Sequence, residues 1–290
     1  MKKLHWILAS FVLIVLSVPA FAQYESIVSP SYQIIDIVKS KIKTEYAKSG
    51  ILDKQLEYAA IQGMVKSLND PYTQFLEPDQ YYRLKSRKES PNAKAVTQVK
   101  IFGNVGYIRL ASFDPASTFE EMVQAIDTLQ AAHVRSLVLD IRNNGGGSLQ
   151  NAIDITGLFV ANTTIATTVA KDGSRIPILV GNRQLYTGAM VLLINRGTAS
   201  SAEVLAGAVK DLGRAWVVGE NSYGKAAVQK MIDLPDGSGL VLTVAHYLTP
   251  KGTNIAAKGI TVDAPLGGSE LQVLQQAVTI ALAQGYRRKR

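Results

Sequence analysis

The chain has 290 residues, of which 47% are hydrophobic and 19% charged, and its formal net charge is +8. This composition is ordinary for a packed globular protein of one large or two small domains, and it excludes a chain that is disordered throughout. The sequence contains no cysteine, which excludes thiol catalysis, disulfide bonds and zinc–thiolate sites.

The first segment of the chain has the features of a secretory signal. Lys2 and Lys3 precede an apolar stretch over residues 4–18, and small residues follow at Ala20 and Ala22. We therefore expect a periplasmic or secreted protein that is cut after Ala22. An uncleaved membrane anchor is the alternative, although the apolar stretch is short for a membrane span. Removing this segment would lower the net charge to +6, because it contains two lysines and no acidic residue.

Part of the positive charge lies in a basic tail, Arg287-Arg288-Lys289-Arg290. Such a tail could bind nucleic acid or an anionic membrane. No aromatic residues alternate with its cations to stack on bases, so we expect a solvated end and no nucleic-acid partner.

Hydrophobic periodicity and turn residues predict helices first and then alternating strands and helices. Ser117 and Glu120 have the spacing of a capping box, and Gly103-Asn104 has the composition of a hairpin turn. The alternation predicts an α/β fold. The predicted helices cover about 34–50, 53–67, 117–131, 149–160, 200–212 and 269–284, and the predicted strands cover 99–102, 105–110, 136–141, 190–194, 215–218 and 240–248.

The same pattern predicts four parts in the chain. The signal covers residues 1–22, an N-terminal helical segment covers 23–83, and a polar, proline-containing linker covers 84–96. An α/β core then extends over residues 97–290.

Two turns between a predicted strand and a predicted helix are candidates for chemistry. The first runs from Asp140 through Asn144 to three glycines at 145–147, and the second runs from Asn195 through Gly197 to Ser200. Backbone N–H groups in such turns can approach a bound oxygen closely, and a serine at a helix start exposes its hydroxyl. From the residues alone, the first segment is equally well explained as a tight turn, and Ser200 is better explained as a helix cap than as a nucleophile.

A nucleophilic serine needs a base, and the histidines are poorly placed. His5 lies in the signal, His133 lies between a helix and a strand, and His246 lies inside a strand. Lysine is the remaining option. Lys225 follows Gly224 in a turn after a strand, and Gln229 lies four residues further on, which is contact spacing on a helix although a loop could also join the two.

Several segments occur together in an order that is more specific than any one of them, with a 25-residue step from Ser200 to Lys225. They resemble the carboxyl-terminal processing peptidases, also called tail-specific proteases, over nearly all of the chain after the signal. The resemblance rests on Gly63-Met64, Leu68-Asn69-Asp70-Pro71-Tyr72-Thr73, Gly106-Tyr107-Ile108-Arg109-Leu110, Asp140-Ile141-Arg142-Asn143-Asn144 with its glycines, Gly197-Thr198-Ala199-Ser200, Gly224-Lys225 with Gln229, and Lys258-Gly259-Ile260 before Asp263.

The resemblance implies a catalytic core similar to the crotonase and Clp-protease fold and assigns roles to residues. Ser200 matches the nucleophile, Lys225 the general base and Gln229 the residue that holds the lysine. The amides of Gly146 and Ser201 match the oxyanion hole, although three consecutive glycines leave the first assignment open by one residue. Ser201 is the second candidate for the nucleophile. No metal or organic cofactor is implied.

The implied mechanism makes a demand on the lysine. Free lysine has a pKa near ~10.4, and burial beside apolar groups lowers it, which would suit Lys225 to accept the serine proton. The expected substrates are proteins or peptides with exposed C-terminal tails. A non-catalytic peptide-binding relative and a crotonase-like hydrolase acting on esters or thioesters are the alternatives.

One departure from the family pattern bears on substrate selection. Typical members carry a PDZ domain, which captures C-terminal tails by β-strand addition, between the Asp-Pro-Tyr-Thr segment and the Gly-Tyr-Ile-Arg strand. Here only residues 77–104 join Leu76 to Val105, which is too short for such a domain. Either the groove alone selects tails or an adaptor or activator protein delivers them. The sequence also leaves open whether the chain forms a homo-oligomer.

Overall fold

The computed structural model describes residues 30–88 and 93–287. The chain divides into two compact units, the first ending at Ala60 and the second beginning at Ile61. The predicted signal segment and the last three residues of the basic tail lie outside the described residues. None of the described helices is both long enough and apolar enough to cross a bilayer.

The described residues form seven helices and eleven strands. The helices are α1 Pro30–Glu45, α2 Asp53–Ser67, α3 Pro78–Lys88, α4 Thr118–Ala131, α5 Leu149–Gly157, α6 Ser201–Asp211 and α7 Glu270–Arg287. The strands are β1 Gln74–Leu76, β2 Val96–Phe102, β3 Val105–Leu110, β4 Ser136–Asp140, β5 Thr163–Ala170, β6 Arg175–Val180, β7 Ala189–Ile194, β8 Trp216–Gly219, β9 Ala227–Asp233, β10 Gly239–Leu248 and β11 Ala264–Pro265.

A six-stranded sheet with the order β11-β8-β7-β4-β3-β2 lies at the centre of the second unit. Its strands are parallel except β2, which pairs antiparallel with β3 through the predicted Gly103-Asn104 turn. Strands β4 and β7 are buried at every position, as expected for parallel strands covered on both faces. Apolar residues of α4, α5 and α6 cover one face, and those of α7 cover the other. The predicted α/β class is confirmed.

A second sheet is antiparallel and contains β1, β5, β6, β9 and β10. Strand β10 is its centre, because β1, β5 and β9 all pair with it. This sheet matters for the site because β9 begins two residues after Lys225 and carries Gln229.

The structure differs from the prediction for residues 84–96. Residues up to Lys88 continue α3, and the described chain resumes at Ala93 shortly before β2. Tyr81 is buried, and its hydroxyl donates to Oδ1 of Asp233 at 2.7 Å, while Nζ of Lys85 lies 2.9 Å from the same oxygen. The polar composition that suggested a linker is that of a helix with an exposed face. With β1 on β10, this part of the chain belongs to the second unit rather than to a separate helical segment.

The capping box predicted at Ser117 is wrong, although the helix begins where it was expected. The Ser117 hydroxyl donates to Oε1 of Glu121 at 2.7 Å, and its side chain makes no capping hydrogen bond. Glu121 accepts from the amide of Val96 at 2.8 Å as well, so the acidic first turn ties α4 to β2.

Candidate active site

Three loops meet at one edge of the central sheet. Strands β4, β7 and β8 are parallel neighbours, so the loops that follow them leave from the same edge. The carboxyl edge of parallel strands is where ligand sites form in α/β proteins. The loop after β4 carries the three glycines, the loop after β7 carries Ser200, and the loop after β8 carries Lys225. The candidates that are distant in sequence are therefore brought to one place.

Reciprocal hydrogen bonds join the two glycine-rich turns. The amide of Asn143 donates to Oδ1 of Asn195 at 2.8 Å, and Nδ2 of Asn195 donates to Oδ1 of Asn143 at 2.9 Å. The amide of Ala199 donates to the carbonyl of Asn144 at 3.0 Å. A Cβ on Gly197 would lie 2.5 Å from Oδ1 of Asn143, so this close approach requires glycine. The turns form one rigid support for Ser200.

Ser200 has an unusual backbone at the start of α6. Its φ is 60° and its ψ is −127°, a combination that glycine adopts easily and residues with a Cβ avoid. Strain of this kind is characteristic of a nucleophile on a sharp turn between a strand and a helix. The side chain is half-buried and lines a cleft.

A buried carboxylate holds the nucleophile loop and the lysine loop together. Glu203 is 1% exposed, and its Oε2 accepts from the amides of Ser200 at 2.8 Å and Lys225 at 2.9 Å. Its Oε1 accepts from the amide of Gly224 at 2.7 Å and the hydroxyl of Ser222 at 2.6 Å. One side chain thus fixes the main chain at both members of the predicted dyad. The sequence interpretation missed this residue.

The cleft has a volume of about 610 Å³ and contains both members of the dyad. Its described lining consists of Tyr72, Gln74, Leu84, Asp114, Gly145, Gly147, Ser148, Leu149, Ser200, Lys225, Ala227, Val228, Gln229, Met231, Val241 and Tyr247. Eight of these residues have apolar or aromatic side chains, six have polar or charged ones and two are glycines, so the cleft places polar groups among apolar walls, as binding sites do. His133 and His246 are not among these residues.

Lys225 is half-buried, and its Nζ lies 5.5 Å from the centre of the Tyr72 ring. Gln229 reaches the same tyrosine from β9, because its Nε2 donates to the Tyr72 carbonyl at 2.5 Å. Lys225 and Gln229 therefore lie on a loop and a strand, not on one helix. Burial, with Tyr223 and Glu203 nearby, raises the pKa of the Tyr72 phenol above its ordinary value.

The turn that holds Tyr72 is anchored by Asp70. Its Oδ1 accepts from the amide of Tyr72 at 3.0 Å, and its Oδ2 accepts from the Thr73 hydroxyl at 2.5 Å. Oγ1 of Thr73 accepts from the amide of Thr243 on β10 at 3.1 Å. The Asp-Pro-Tyr-Thr segment is thereby fixed to the antiparallel sheet, with Tyr72 directed to the lysine.

The two predicted oxyanion amides have different environments. Ser201 is 2% exposed, and its hydroxyl donates to the carbonyl of Gly147 at 3.3 Å, so its side chain is a poor second nucleophile. Among the described residues, the amide of Ser201 has no hydrogen-bond partner. The amide of Gly146 donates to Oδ1 of Asn144 at 2.9 Å. Gly146 is buried under Ser200, because a Cβ on it would lie 2.9 Å from the Ser200 Cβ.

A charge cluster lies beneath the first turn. Asp140 is fully buried and pairs through Oδ2 with Arg109 at 2.8 Å and Arg142 at 2.7 Å. The Tyr107 hydroxyl donates to the same oxygen at 3.0 Å, and burial together with this carboxylate raises the pKa of Tyr107 to about 12. These contacts hold the end of β4 and the start of the glycine turn in one position.

The fold and the cleft define an α/β protein with a candidate hydrolase centre. The chain belongs to Peptidase family S41, whose family model matches residues 104–266. The resemblance to the carboxyl-terminal processing peptidases is confirmed by the relatives found.

A carboxyl-terminal-processing protease of Synechocystis sp. is 38% identical over 174 residues, which cover 60% of this chain and 40% of that protein. Another from Picosynechococcus sp. is 40% identical over 189 residues, which cover 62% of this chain and 45% of the relative. The chain therefore matches less than half the length of these curated relatives.

Among solved structures, the photosystem II D1 C-terminal processing protease superposes with a TM-score of 0.65 at 24% identity. The superposition covers 86% of this chain and 90% of that one. At this identity the likeness shows the fold alone, and it agrees with the predicted fold of the core.

Proposed function

We propose that this chain is a serine endopeptidase that cleaves protein substrates near their C-termini, with Ser200 as nucleophile and Lys225 as general base. The observation that carries the proposal is that both side chains line one cleft while Glu203 binds both of their main-chain amides. Membership of a peptidase family makes peptide-bond hydrolysis the natural use of this arrangement.

The proposed reaction proceeds in two halves. The neutral amine of Lys225 accepts the proton of the Ser200 hydroxyl while Oγ attacks the carbonyl carbon of the scissile bond. The tetrahedral intermediate collapses, the C–N bond breaks, and the Lys225 ammonium returns the proton to the leaving amine. Water then attacks the acyl-enzyme by the same route, which releases the carboxylic acid and restores the Ser200 hydroxyl.

Gln229 acts in this proposal by way of Tyr72. Its amide group holds the Tyr72 carbonyl, and the ring of Tyr72 lies beside the Lys225 amine. The aromatic face attracts a cation, so it restricts where the amine of Lys225 can lie. In this proposal Gln229 therefore holds the lysine through an intermediate residue rather than directly.

Tail selection is proposed to lie in the cleft itself. Between Leu76 and Val105 the described residues form α3 and β2, and Leu84 of α3 lines the cleft. The helix occupies the place in the sequence where related proteins would carry a tail-reading domain. Delivery by an adaptor protein is the competing proposal, and the signal-like segment 1–22 indicates substrates in a periplasmic or extracellular compartment.

The test is cleavage by the purified protein with matched variants. Casein and synthetic peptides with free C-termini should be cleaved without any added protein, and a fluorophosphonate should label Ser200. Ser200→Ala and Lys225→Ala should each abolish cleavage. Two control variants should retain cleavage. Ser201→Ala removes a hydroxyl next to Ser200, and Lys230→Ala removes an exposed lysine of β9.

Activity that survives both dyad substitutions would refute the assignment of the dyad. Binding of peptides by the wild-type protein, without cleavage or labelling of Ser200, would instead support the non-catalytic peptide-binding alternative. Cleavage that appears only after a second protein is added would favour the adaptor over the cleft as the selector of tails.

A further inference from the structure

Tyr247 on β10 differs from other buried tyrosines in the surroundings of its hydroxyl. It is 6% exposed and lines the cleft. Three further buried tyrosines donate their hydroxyls to protein oxygens, namely Tyr81, Tyr107 and Tyr186. The hydrogen bonds of the described residues include none for the Tyr247 hydroxyl, and its oxygen is not fully enclosed by protein. This hydroxyl is therefore open to the cleft.

Tyr247 is held close to both members of the proposed dyad. Its amide donates to the carbonyl of Ala226, the residue after Lys225, at 2.7 Å. Its side chain belongs to the same apolar cluster as Val204, which lies one turn into α6 from Ser200. The hydroxyl therefore faces the part of the cleft that lies beside the dyad.

Apolar side chains lie beside Tyr247. Leu149 and Val228 pack against the cluster that contains Tyr247, and both also line the cleft. Burial raises the pKa of Tyr247 to about 12, which agrees with apolar surroundings. These three residues form a pocket with apolar walls and one hydroxyl, which we call the Tyr247 subsite.

The hydroxyl in this subsite decides which substrate side chain fits it best. A purely apolar side chain would cover the hydroxyl and leave it buried without a partner, which is unfavourable. A side chain with an apolar stem and an oxygen at its end would contact Leu149 and Val228 and accept a hydrogen bond from the phenol. A site that would leave a polar group unpaired discriminates against the analogue that lacks the matching group.

Resting on the proposed peptidase function, we propose that Tyr247 is a specificity-determining residue whose hydroxyl donates a hydrogen bond to the side chain of a substrate residue next to the scissile bond. Threonine, asparagine and glutamine supply both the stem and the acceptor, so protein tails that carry one of them at this position are the favoured substrates. This role is separate from that of the dyad, because Tyr247 takes no part in transferring the proton of Ser200.

Peptides matched in size test the proposal with the full chain. The pairs threonine and valine, asparagine and leucine, and glutamine and methionine differ mainly in the acceptor, and each pair is placed in turn on either side of the cleaved bond. At one position, the ratio of kcat/KM for the polar peptide to that for the apolar peptide should fall by about 3- to 10-fold from wild type to Tyr247→Phe, the effect of one hydrogen bond. Tyr186→Phe changes a buried tyrosine that is not in the described lining and should leave the ratio unchanged. A ratio that Tyr247→Phe leaves unchanged at every position would overturn the proposal.

Thermal unfolding gives a second readout that needs no substrate. Because the Tyr247 hydroxyl has no partner among the described residues, Tyr247→Phe should keep the thermal midpoint of wild type or raise it. Tyr186→Phe should lower the midpoint, since the Tyr186 hydroxyl donates to the carbonyl of Ala189 at 3.3 Å. A midpoint for Tyr247→Phe below that of Tyr186→Phe would show that the Tyr247 hydroxyl is bonded within the protein, and the proposal would be overturned.

Failure of the underlying function gives a different result. If wild-type protein neither cleaves peptides nor reacts with a fluorophosphonate at Ser200, the peptidase function is refuted and the role of Tyr247 is refuted with it. If wild-type protein is active and labelled at Ser200 while Tyr247→Phe keeps the wild-type ratio for every peptide pair, only the role of Tyr247 is refuted.

Discussion

Oε2 of Glu203 lies 2.8 Å from the amide nitrogen of Ser200, and this contact gives the strained serine its position at the start of α6. The same carboxylate accepts three further hydrogen bonds, from the amides of Gly224 and Lys225 and from the Ser222 hydroxyl. A carboxylate has about four acceptor positions, so all of its capacity is used, and all of it serves the loops that carry the proposed dyad.

Glu203→Gln should inactivate the protein while leaving it folded. The amide nitrogen of glutamine would replace one carboxylate oxygen, so at least one of the four groups that donate to Glu203 would lose its acceptor. A buried donor without a partner costs about 1–3 kcal/mol. Because the affected donors belong to the loops of Ser200 and Lys225, we expect kcat to fall about 100-fold or more and the thermal midpoint to fall by several degrees.

Glu121→Gln is the control for this substitution. Glu121 accepts from the amide of Val96 and the Ser117 hydroxyl at a distant helix start, so the same chemical change should lower stability without a large loss of kcat. Full peptidase activity of Glu203→Gln would show that the carboxylate has no role in positioning the dyad.

Ser200→Gly should be more stable than Ser200→Ala, although both should be inactive. The positive φ of Ser200 strains any residue with a Cβ by about 1–3 kcal/mol, and glycine relieves that strain. A difference of about 1 kcal/mol corresponds to a midpoint shift of about 2–4 °C in a protein of this size, which calorimetry can resolve.

The relative stability of the glycine and alanine variants should reverse at Ser136, which is buried in β4 and does not have a positive φ. There Ser136→Ala should be more stable than Ser136→Gly, because glycine weakens a strand interior. If Ser200→Ala proved the more stable of its pair, the turn at Ser200 would not be strained in solution.

Tyr72→Leu should lower kcat/KM by about 2- to 30-fold, whereas Tyr72→Phe should stay close to wild type. The range corresponds to the roughly 0.5–2 kcal/mol of a cation–π contact, and the phenylalanine ring preserves that contact with Nζ of Lys225. Tyr82→Leu changes a tyrosine of α3 that is 73% exposed and should have no effect on peptide cleavage. Equal losses in the leucine and phenylalanine variants would mean that the hydroxyl, not the ring, matters.

The predictions from sequence succeeded where the signal is local. The apolar runs over residues 136–141 and 190–194 predicted strands that the structure forms as β4 and β7, and the turns after them held the residues that the structure brings together. Strand β5 was missed because its threonine-rich, half-exposed residues show no clear alternation, and β6 was missed because it is mostly exposed and contains Pro177. Strand β9 was missed because the spacing of Lys225 and Gln229 also suited a helix.

Contacts between distant parts of the chain could not be predicted. Helix α3 is held in place by the hydrogen bond from the Tyr81 hydroxyl to Asp233, a residue 152 positions further along the chain. Nothing in the local sequence shows this contact, and the polar composition of α3 was therefore interpreted as that of a linker. For Glu203, by contrast, a local signal did exist. Ser200 and Glu203 have the Ser-x-x-Glu spacing of a capping box, and in the structure the Glu203 carboxylate accepts from the Ser200 amide, as the glutamate of such a box does. Its bonds to Ser222, Gly224 and Lys225 come from a loop about 20 residues away and needed the fold.

Asp114 should give the cleft a preference for cationic substrate side chains. It is exposed, is the only acidic residue in the described lining, and forms no salt bridge with any described residue. In peptides that differ only by lysine or glutamate at one position near the scissile bond, lysine should be favoured by about 1.5- to 5-fold at the position nearest Asp114, the effect of one exposed ion pair.

Asp114→Asn should remove that preference without changing cleavage of neutral peptides, and Asp172→Asn, in the turn between β5 and β6, should leave it intact. A preference for lysine that persists in Asp114→Asn would assign the selectivity to another group.

Asp70 should make stability fall in acid. Burial raises the pKa of Asp70, but the hydrogen bonds that its carboxylate accepts from the Thr73 hydroxyl and the Tyr72 amide outweigh this effect and hold the pKa below its ordinary value. The unfolded chain, with an aspartate pKa of about 3.9, therefore binds more protons than the folded chain as the pH falls toward and below about 4. The stabilisation is complete above that pH and is lost as the pH falls through the folded pKa.

Comparison of urea unfolding between about pH 3 and pH 7 tests this. The difference in unfolding free energy between wild type and Asp70→Asn should be constant above about pH 5 and shrink below about pH 4. Asp127→Asn, which changes an exposed carboxylate on α4, should give a small difference with no such decline. If the difference in unfolding free energy for Asp70→Asn stayed constant across the whole pH range, the hydrogen bonds from the Tyr72 turn would not favour the ionised carboxylate. The position of Tyr72 beside Lys225 would then need an explanation other than Asp70.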